Sequence, residues 1–304
     1  MAYKKPTKRV DAIQVFSDKI AEAIDKMNEG EKPSWIKPWR DLDYNPRNMV
    51  HNNHYSGLYN VFSCMVSGHN DPRYLTFNQI RKLKGKLKKG SKCVPIIFWK
   101  FFKNTDKDTG EEKSIPFARY YPAFNVEDVE GIEIPALDKN TNNDIVANEV
   151  ITDMIKKLKV EINENGNSAH YIPSRDDITL PRLSQFNNVD EWSAVVLHEL
   201  VHWTGSKNRL NRDVSEYHNN KAVRSREELV AELGAMRLCQ KLNINGFTDK
   251  NHLSYIKGWG QHIKDDKKFV YSACKEAEKA ANYILDNAGI KTNETNNVEE
   301  KEAA

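Results

Sequence analysis

Cysteine is scarce in this chain. Of 304 residues only Cys64, Cys93, Cys239 and Cys274 are cysteine, and no two form a CxxC pair. That excludes a disulfide scaffold and a cysteine-type zinc finger, and it favours a reducing cytoplasm. Long apolar runs are also missing: no stretch approaches the roughly 18 residues that cross a bilayer. The opening Met1-Ala2-Tyr3-Lys4-Lys5-Pro6 lacks the apolar run of a secretion signal, so a cytoplasmic setting with no membrane partner is expected. Internal repeats and a low-complexity core are absent. Net charge is small at +3, but it is unevenly spread. Residues 1–103 carry 20 basic and 9 acidic side chains, and the remainder carries 26 and 34. Halves of opposite sign point to two modules with different partners, the basic one suited to a polyanion.

What is present fits a soluble globular protein of 304 residues, with 39% hydrophobic and 29% charged side chains. At about 150 residues per domain, two domains are expected. Ile13, Phe16, Ile20, Ile24 and Met27 recur at helical spacing, and Pro33 prevents continuation. Residues 31–60 read as extended or looped, and 56–88 as mostly helical with a break at Asp71-Pro72. Val94 to Phe102 is apolar and β-prone, predicting a buried strand. Residues 104–114 form a turn that returns in a strand near Phe117–Phe124. The polar stretch Asp138-Lys139-Asn140-Thr141-Asn142-Asn143 marks a linker, given bounds of 134–146. A helix near 146–158, a strand pair around Glu161–Leu180, helices over 189–204 and 226–242, and further helix to about residue 286 complete the pattern. The tail 291–304 is polar and predicted to be disordered.

The sharpest motif is His198-Glu199-Leu200-Val201-His202, set in the apolar run Ala194-Val195-Val196-Leu197. Asn188 and Glu191 give it a capped start, and Gly205 a stop. On a helix, positions i and i+4 share a face, so His198 and His202 converge on one ion. Glu199 is rotated by about 100° and sits beside the ion, where it can take a proton from water. Catalytic zinc needs a third protein ligand. The extended pattern that ends in a further histidine fails here, because Asn208 stands where that histidine belongs. A glutamate on the following helix is the other route. Glu228 and Glu232 share a face of Arg226-Glu227-Glu228-Leu229-Val230-Ala231-Glu232. Glu228 is assigned as third ligand and Glu232 as the acceptor of a histidine N–H, with Glu232 the main rival ligand and a Ser225 capping box the bland role for Glu228. Asp213, Glu216 and His218 are weaker candidates. Ahead of the motif helix, Tyr171-Ile172-Pro173 and Asp177-Ile178-Thr179-Leu180-Pro181 read as short strands, suited either to hold an extended peptide or to serve as a structural hairpin. Tyr171 there is a minor candidate oxyanion donor.

In the basic half, aromatics are interleaved with cations: Trp35, Lys37, Trp39, Arg40, Arg47, Tyr55, Tyr59 and Arg73. The run Arg81–Lys92 adds seven basic side chains in twelve residues, among them Lys84, Lys86, Lys88 and Lys89. Cations that track phosphates beside rings that stack on bases suit single-stranded nucleic acid. No RNP-type signature or duplex-reading helix pattern accompanies them.

Ser34-Trp35-Ile36-Lys37-Pro38-Trp39, Asn45-Pro46-Arg47-Asn48, Tyr55-Ser56-Gly57-Leu58-Tyr59-Asn60, Tyr74-Leu75-Thr76-Phe77-Asn78-Gln79 and Tyr121-Pro122-Ala123-Phe124-Asn125-Val126 resemble the N-terminal domain of ArdC-type antirestriction proteins. That domain also occurs in TraC-type plasmid primases. His198-Glu199-Leu200-Val201-His202-Trp203-Thr204-Gly205 and Glu227-Glu228-Leu229-Val230-Ala231-Glu232-Leu233-Gly234 resemble the zincin-like metallopeptidase domain of the same family.

The resemblance implies an α+β protein of two domains from a plasmid or phage. Residues 1–133 would be an α/β domain that binds single-stranded DNA, and residues 147–290 a mainly helical zincin-like metallopeptidase domain. The implied role is to protect entering DNA from host restriction. His198, His202 and a glutamate of the Glu228/Glu232 pair would hold zinc, with manganese as the alternative, and Glu199 would be the catalytic base. The protein substrate is unidentified, with a component of host restriction one candidate. Two competing expectations are a non-enzymatic strand-coating protein with a structural metal site, and an accessory domain related to plasmid primases.

Overall fold

A computed structural model describes residues 11–28, 45–105, 112–137, 147–164, 168–214, 217, 219–244, 266 and 268–291. Helix α1 (Ala12–Asn28) buries Ala12, Phe16 and Ile20, one residue per turn on a single face. Strand β1 (Arg47–Asn48) follows in the described chain. The expectation of a mostly helical 56–88 fails in its middle. Helices α2 (Leu58–Met65) and α3 (Phe77–Lys82) are separated by strand β2 (Arg73–Thr76), and β3 (Lys86–Leu87) comes after α3. Pro72 prevents helix from reaching β2, and Tyr74 and Leu75 are β-formers buried between neighbouring strands. Thr76 then ends the strand and starts α3 through a capping box with Gln79.

Strands β4 (Val94–Thr105) and β5 (Glu112–Asn125) form a long antiparallel hairpin, paired from Val94 opposite Ala123 to Thr105 opposite Glu112. The sheet order is β1-β2-β5-β4, with β1 parallel to β2. Ile97 is buried where α1 and α2 pack on one face of the hairpin, and Val94 and Ile96 are buried on the other face in a cluster with Tyr55, Cys64 and Tyr74. The expected buried strand is therefore buried only at its base: Trp99 is 38% and Phe101 66% exposed. A short strand β6 (Val129–Glu130) pairs with β3.

Helix α4 (Ala147–Leu158) opens the C-terminal domain. Three strands then form a small sheet, where a pair was expected. They are β7 (Glu161–Asn163), β8 (His170–Ile172) and β9 (Asp177–Thr179), in the order β7-β9-β8. The separation arises because β7 runs parallel to β9 and needs the intervening β8 to return antiparallel. Helices α5 (Val189–Thr204), α6 (Lys221–Leu242) and α7 (Phe269–Asn287) complete the described elements.

The chain is thus α+β and two-domain, but the domains share apolar surface. Phe16, Leu58, Val61 and Ile97 from the first belong to the same buried cluster as Leu197, Leu229 and Ala277 from the second. Small residues set the helix spacing there. A Cβ on Gly234 of α6 would lie 2.8 Å from Cγ2 of Val201 on α5, so only glycine permits this approach. Among the described residues, no helix is long and apolar enough to cross a membrane. Most of the expected linker and all of the tail beyond residue 291 lie outside the described residues.

Candidate metal centre

Helix α5 begins at Asn188, whose side-chain oxygen accepts from the Glu191 amide, with Asp190 and Glu191 favourably placed in the first turn. Its last turns carry His198 and His202 toward α6. Helix α6 starts earlier than expected, at Lys221, because Asn220 caps it by accepting from the Ala222 and Val223 amides. Ser225 therefore lies inside the helix, and the capping-box role for Glu228 falls away. Both helices bury most of the residues around the site, and Gly234 brings them together within two turns of Glu228.

His198, His202 and Glu228 each offer one ligand atom, and these atoms all lie within 4.8 Å of one another. The Nε2 atoms of the two histidines are 3.1 Å apart. Glu228 reaches both, with Oε2 3.6 Å from His198 Nε2 and Oε1 3.7 Å from His202 Nε2. Glu232 meets the other side of His198, with Oε1 3.6 Å from Nδ1. Glu227 does the same for His202, with Oε1 3.2 Å from Nδ1. Each carboxylate at Nδ1 favours the tautomer that leaves Nε2 as the lone-pair nitrogen. Two such lone pairs 3.1 Å apart repel unless a cation or a proton lies between them. That spacing is also what two nitrogens each about 2.0–2.1 Å from one ion would show. The donor set of two imidazoles and one carboxylate fits a divalent cation on this chemistry.

Without a metal, a proton serves instead. Burial pulls the His198 imidazole down, but the carboxylates of Glu232, Glu228 and Glu199 outweigh it and raise the group to about 9. Burial raises Glu228, and the two histidines with the Tyr217 hydroxyl overcome this and hold it at about 2. Glu227 is likewise pushed up by burial and brought below its ordinary range by His202 and Arg212. Glu199 is 6% exposed, and among the described residues its carboxylate makes no hydrogen bond.

Two neighbours carry no signal in the sequence pattern, and a third carries only a faint one. Arg212 holds Glu227 through its Nε and Nη2 and also donates to Thr204 Oγ1 and the Val201 carbonyl. Tyr217 donates to Glu228, and its ring stands edge-on to His202 with centroids 6.3 Å apart. Glu227 itself sits beside the assigned ligand but serves the other histidine. Only the Glu-Glu doublet hinted at it. Gly205 caps α5 with φ −69, so a left-handed stop is not its reason. A Cβ there would lie 2.9 Å from Arg212 Nη2.

Tyr171 does not point a free hydroxyl at this site. It donates to Asp176 Oδ1 at 2.8 Å, and Arg209, stacked 3.9 Å over the Trp203 ring, binds both Asp176 and Tyr171. Asp213 is exposed, and Glu216 and His218 lie outside the described residues.

The basic half is sorted more sharply. Lys84, Lys86, Lys88 and Lys89 are exposed, and Arg47 is half-buried. Tyr55, Tyr59 and Arg73 contradict the expectation of nucleic-acid contact, since they are 5%, 7% and 7% exposed. Tyr55 packs on Tyr74, Tyr59 packs on Tyr271, and Arg73 is neutralised by Asp71 while donating to the Pro135 carbonyl. Their rings and guanidinium complete the core, a demand that alternation of aromatics and cations cannot reveal. Trp35, Lys37, Trp39 and Arg40 lie outside the described residues.

The N-terminal domain of anti-restriction factor ArdC matches residues 10–124, and the zincin-like metallopeptidase family matches residues 149–276. The metal-free crystal structure of the antirestriction ArdC protein from plasmid R388 is 29% identical, with a TM-score of 0.69 over 92% of this chain and 98% of that one. The Mn(II)-bound structure of the same protein gives 27% identity and a TM-score of 0.67, over the same shares. A DNA primase TraC of Escherichia coli is 31% identical across 89% of this chain, which spans 20% of the primase. An uncharacterized protein of Sinorhizobium fredii, y4eC, is 27% identical over 92% of this chain and 94% of its own length. The chain belongs to the ArdC-type antirestriction family, with an ArdC N-terminal domain joined to a zincin-like metallopeptidase domain.

Proposed function

We propose that this chain binds single-stranded DNA through its basic N-terminal domain and cleaves a peptide bond at a divalent metal in its C-terminal domain. Together these activities would shield the entering DNA of a plasmid or phage from restriction. The observation that carries the reading is the convergence of His198, His202 and Glu228 beside the uncommitted carboxylate of Glu199. We assign zinc, whose preference for nitrogen and oxygen donors suits this set. Manganese is the alternative, supported by the Mn(II)-bound ArdC structure.

A bound divalent ion supplies Lewis acidity for water activation and carbonyl polarisation. The chain supplies the rest. His198, His202 and Glu228 hold the ion, while Glu232 and Glu227 fix the imidazole tautomers. Glu199 accepts the proton of the attacking water and returns it to the leaving amine, a role open to a buried carboxylate with no competing hydrogen bond. Tyr217, donating to Glu228 in this state, can steady developing negative charge nearby.

The partners are then a single strand and a protein substrate, for which a component of host restriction is our candidate. The test pairs metal content with binding of labelled single strands, on wild type and on His198→Ala/His202→Ala. Stoichiometric metal lost in the variant with strand binding retained supports two separable activities. Glu199→Gln should keep both metal and strand binding yet lose protection of incoming DNA. Full protection by Glu199→Gln would leave a non-enzymatic shield as the function.

A further inference from the structure

We infer that the β4–β5 hairpin presents a base-stacking platform for single-stranded DNA, formed by Tyr121, Phe98 and Phe117 with Arg119 and Lys100. The inference rests on the reading that the N-terminal domain binds single strands, and it says which surface does so.

The register places these side chains on one face. Ile96 is opposite Tyr121, Phe98 opposite Arg119, and Lys100 opposite Phe117. Side chains two apart along a strand share a face, so all six lie together. The rings therefore zigzag across the two strands: Tyr121 at one level, Phe98 at the next, Phe117 at the third. Each level advances by about 6.8 Å, two residues of antiparallel strand. Phe98 and Tyr121 stand 5.8 Å apart with planes at 46°. A cation lies over each of the other ring faces: Lys100 Nζ is 5.8 Å from the Phe98 centroid, and Arg119 Cζ is 5.3 Å from that of Phe117.

The opposite face is committed to the core only at its base, and farther out it carries the exposed Trp99 and Phe101, without a ladder of interleaved cations. Ile97 is in the core, and Ala118 and Tyr120 pack against it. On the platform face Phe98 and Phe117 are half-buried, whereas Lys100 and Arg119 are exposed. Among the described residues, neither Lys100 nor Arg119 has an acidic partner. A protein ligand or a self-contact would need an apolar centre with cations at its rim. Here rings and cations alternate instead, the pattern that lets bases stack while phosphates meet positive charge. A guanidinium plane over Phe117 is itself a stacking surface, and the flexible Lys100 can leave its ring for a phosphate. The excess of basic side chains in residues 1–103 matches the same ligand.

The platform also accounts for the loss of Tyr55 and Tyr59 as candidates. Buried rings cannot stack on bases, and the hairpin supplies rings that the aromatic–cation alternation of residues 35–73 does not contain.

The test uses the full metal-loaded chain and a labelled oligothymidylate, read by fluorescence anisotropy. Phe98→Leu/Phe117→Leu keeps apolar volume and should keep the thermal midpoint and metal content. Two lost stacking contacts should weaken binding by about tenfold or more. Phe98→Trp/Phe117→Trp should bind at least as tightly as wild type. Arg119→Gln/Lys100→Gln should bind more weakly and with a shallower salt dependence. If wild type binds and the folded leucine variant binds equally well, the platform is overturned while the single-strand reading stands. If wild type does not bind the oligonucleotide, that reading fails and the platform with it.

Discussion

Arg212 grips Glu227 through two hydrogen bonds, 2.7 Å to Oε1 and 2.9 Å to Oε2, and the same Oε1 lies 3.2 Å from Nδ1 of His202. A chain of three residues thus runs from a loop after α5 to a candidate ligand. The guanidinium fork fixes the carboxylate, and the carboxylate fixes the ring.

The first prediction follows from that chain. Glu227→Gln preserves shape and can still accept from His202, but it removes the charge that stabilises both neighbours. Metal affinity should fall about 10- to 100-fold, as for other outer partners of ligating histidines. Stability should fall as well, because Arg212 is left buried without its anion, a loss on the order of 3–5 kcal/mol. Adding Arg212→Met should restore much of the stability and none of the affinity. Chelator competition and calorimetry measure the two effects. An unchanged affinity in folded Glu227→Gln would remove Glu227 from the metal centre.

A second prediction concerns pH. The metal-free chain holds His198 at about 9, so at neutral pH that ring carries a proton which the metal must displace. A pKa raised by folding contributes stability that is complete below the unfolded value of about 6.5 and is lost as pH climbs through the folded one. The thermal midpoint of the metal-free protein should therefore decline from near neutrality toward pH 9. Metal affinity should move the other way, rising about tenfold per pH unit over the same window. The gain in midpoint on adding metal then grows with pH. A gain that stays flat across that window contradicts the protonated His198.

Much of this site was legible because helical spacing is a strong geometric rule. His198 and His202 at i and i+4, and Glu228 one helix later, could be placed on facing surfaces without coordinates. Glu227 and Arg212 were not legible, since they depend on how a loop of irregular backbone returns across α5. Gly205 does end α5 as expected, but its φ is not left-handed, and what a side chain there would meet is Arg212. In the N-terminal domain, α1 and the strand at Val94 followed from periodicity and β-propensity. β2 was hidden, because a four-residue strand between two helices carries too few residues to show a period. Tyr55, Tyr59 and Arg73 failed for another reason. Composition records which side chains exist, and burial decides which of them meet a ligand.

Gly234 gives a third prediction. A methyl group at this position would sit 2.8 Å from Val201 Cγ2 and 3.0 Å from Cγ1. Helices α5 and α6 must separate or Val201 must shift, at a cost of about 1–3 kcal/mol. Gly234→Ala should lower the thermal midpoint by several degrees. It should also weaken metal binding, because the two helices carry opposite halves of the site. Val201→Ala alone loses two buried methyl groups, but in Gly234→Ala/Val201→Ala the new Cβ has space. The double variant should therefore be more stable than the sum of the two single changes predicts. Simple additivity would show that the contact does not set the helix spacing.

The last prediction separates the two kinds of nucleic-acid contact. Lys86 and Lys89 are exposed. Lys88 differs in that its Nζ already donates to the Glu127 carbonyl at 2.7 Å. A lysine that neutralises a phosphate releases a counterion, so its removal lowers the slope of log affinity against log salt by about 0.7 on a single strand. Lys86→Gln/Lys89→Gln should reduce the slope by about 1.4 and leave affinity at high salt nearly unchanged. Lys88→Gln should have a smaller effect, since its ammonium is partly held by the protein. Replacing rings on the hairpin should do the opposite, weakening binding at every salt concentration with the slope preserved. Anisotropy titrations over a salt series measure both quantities at once. A lysine pair that lowers affinity equally at all salt concentrations would mean that these side chains support the fold of the β3 turn and do not follow the strand.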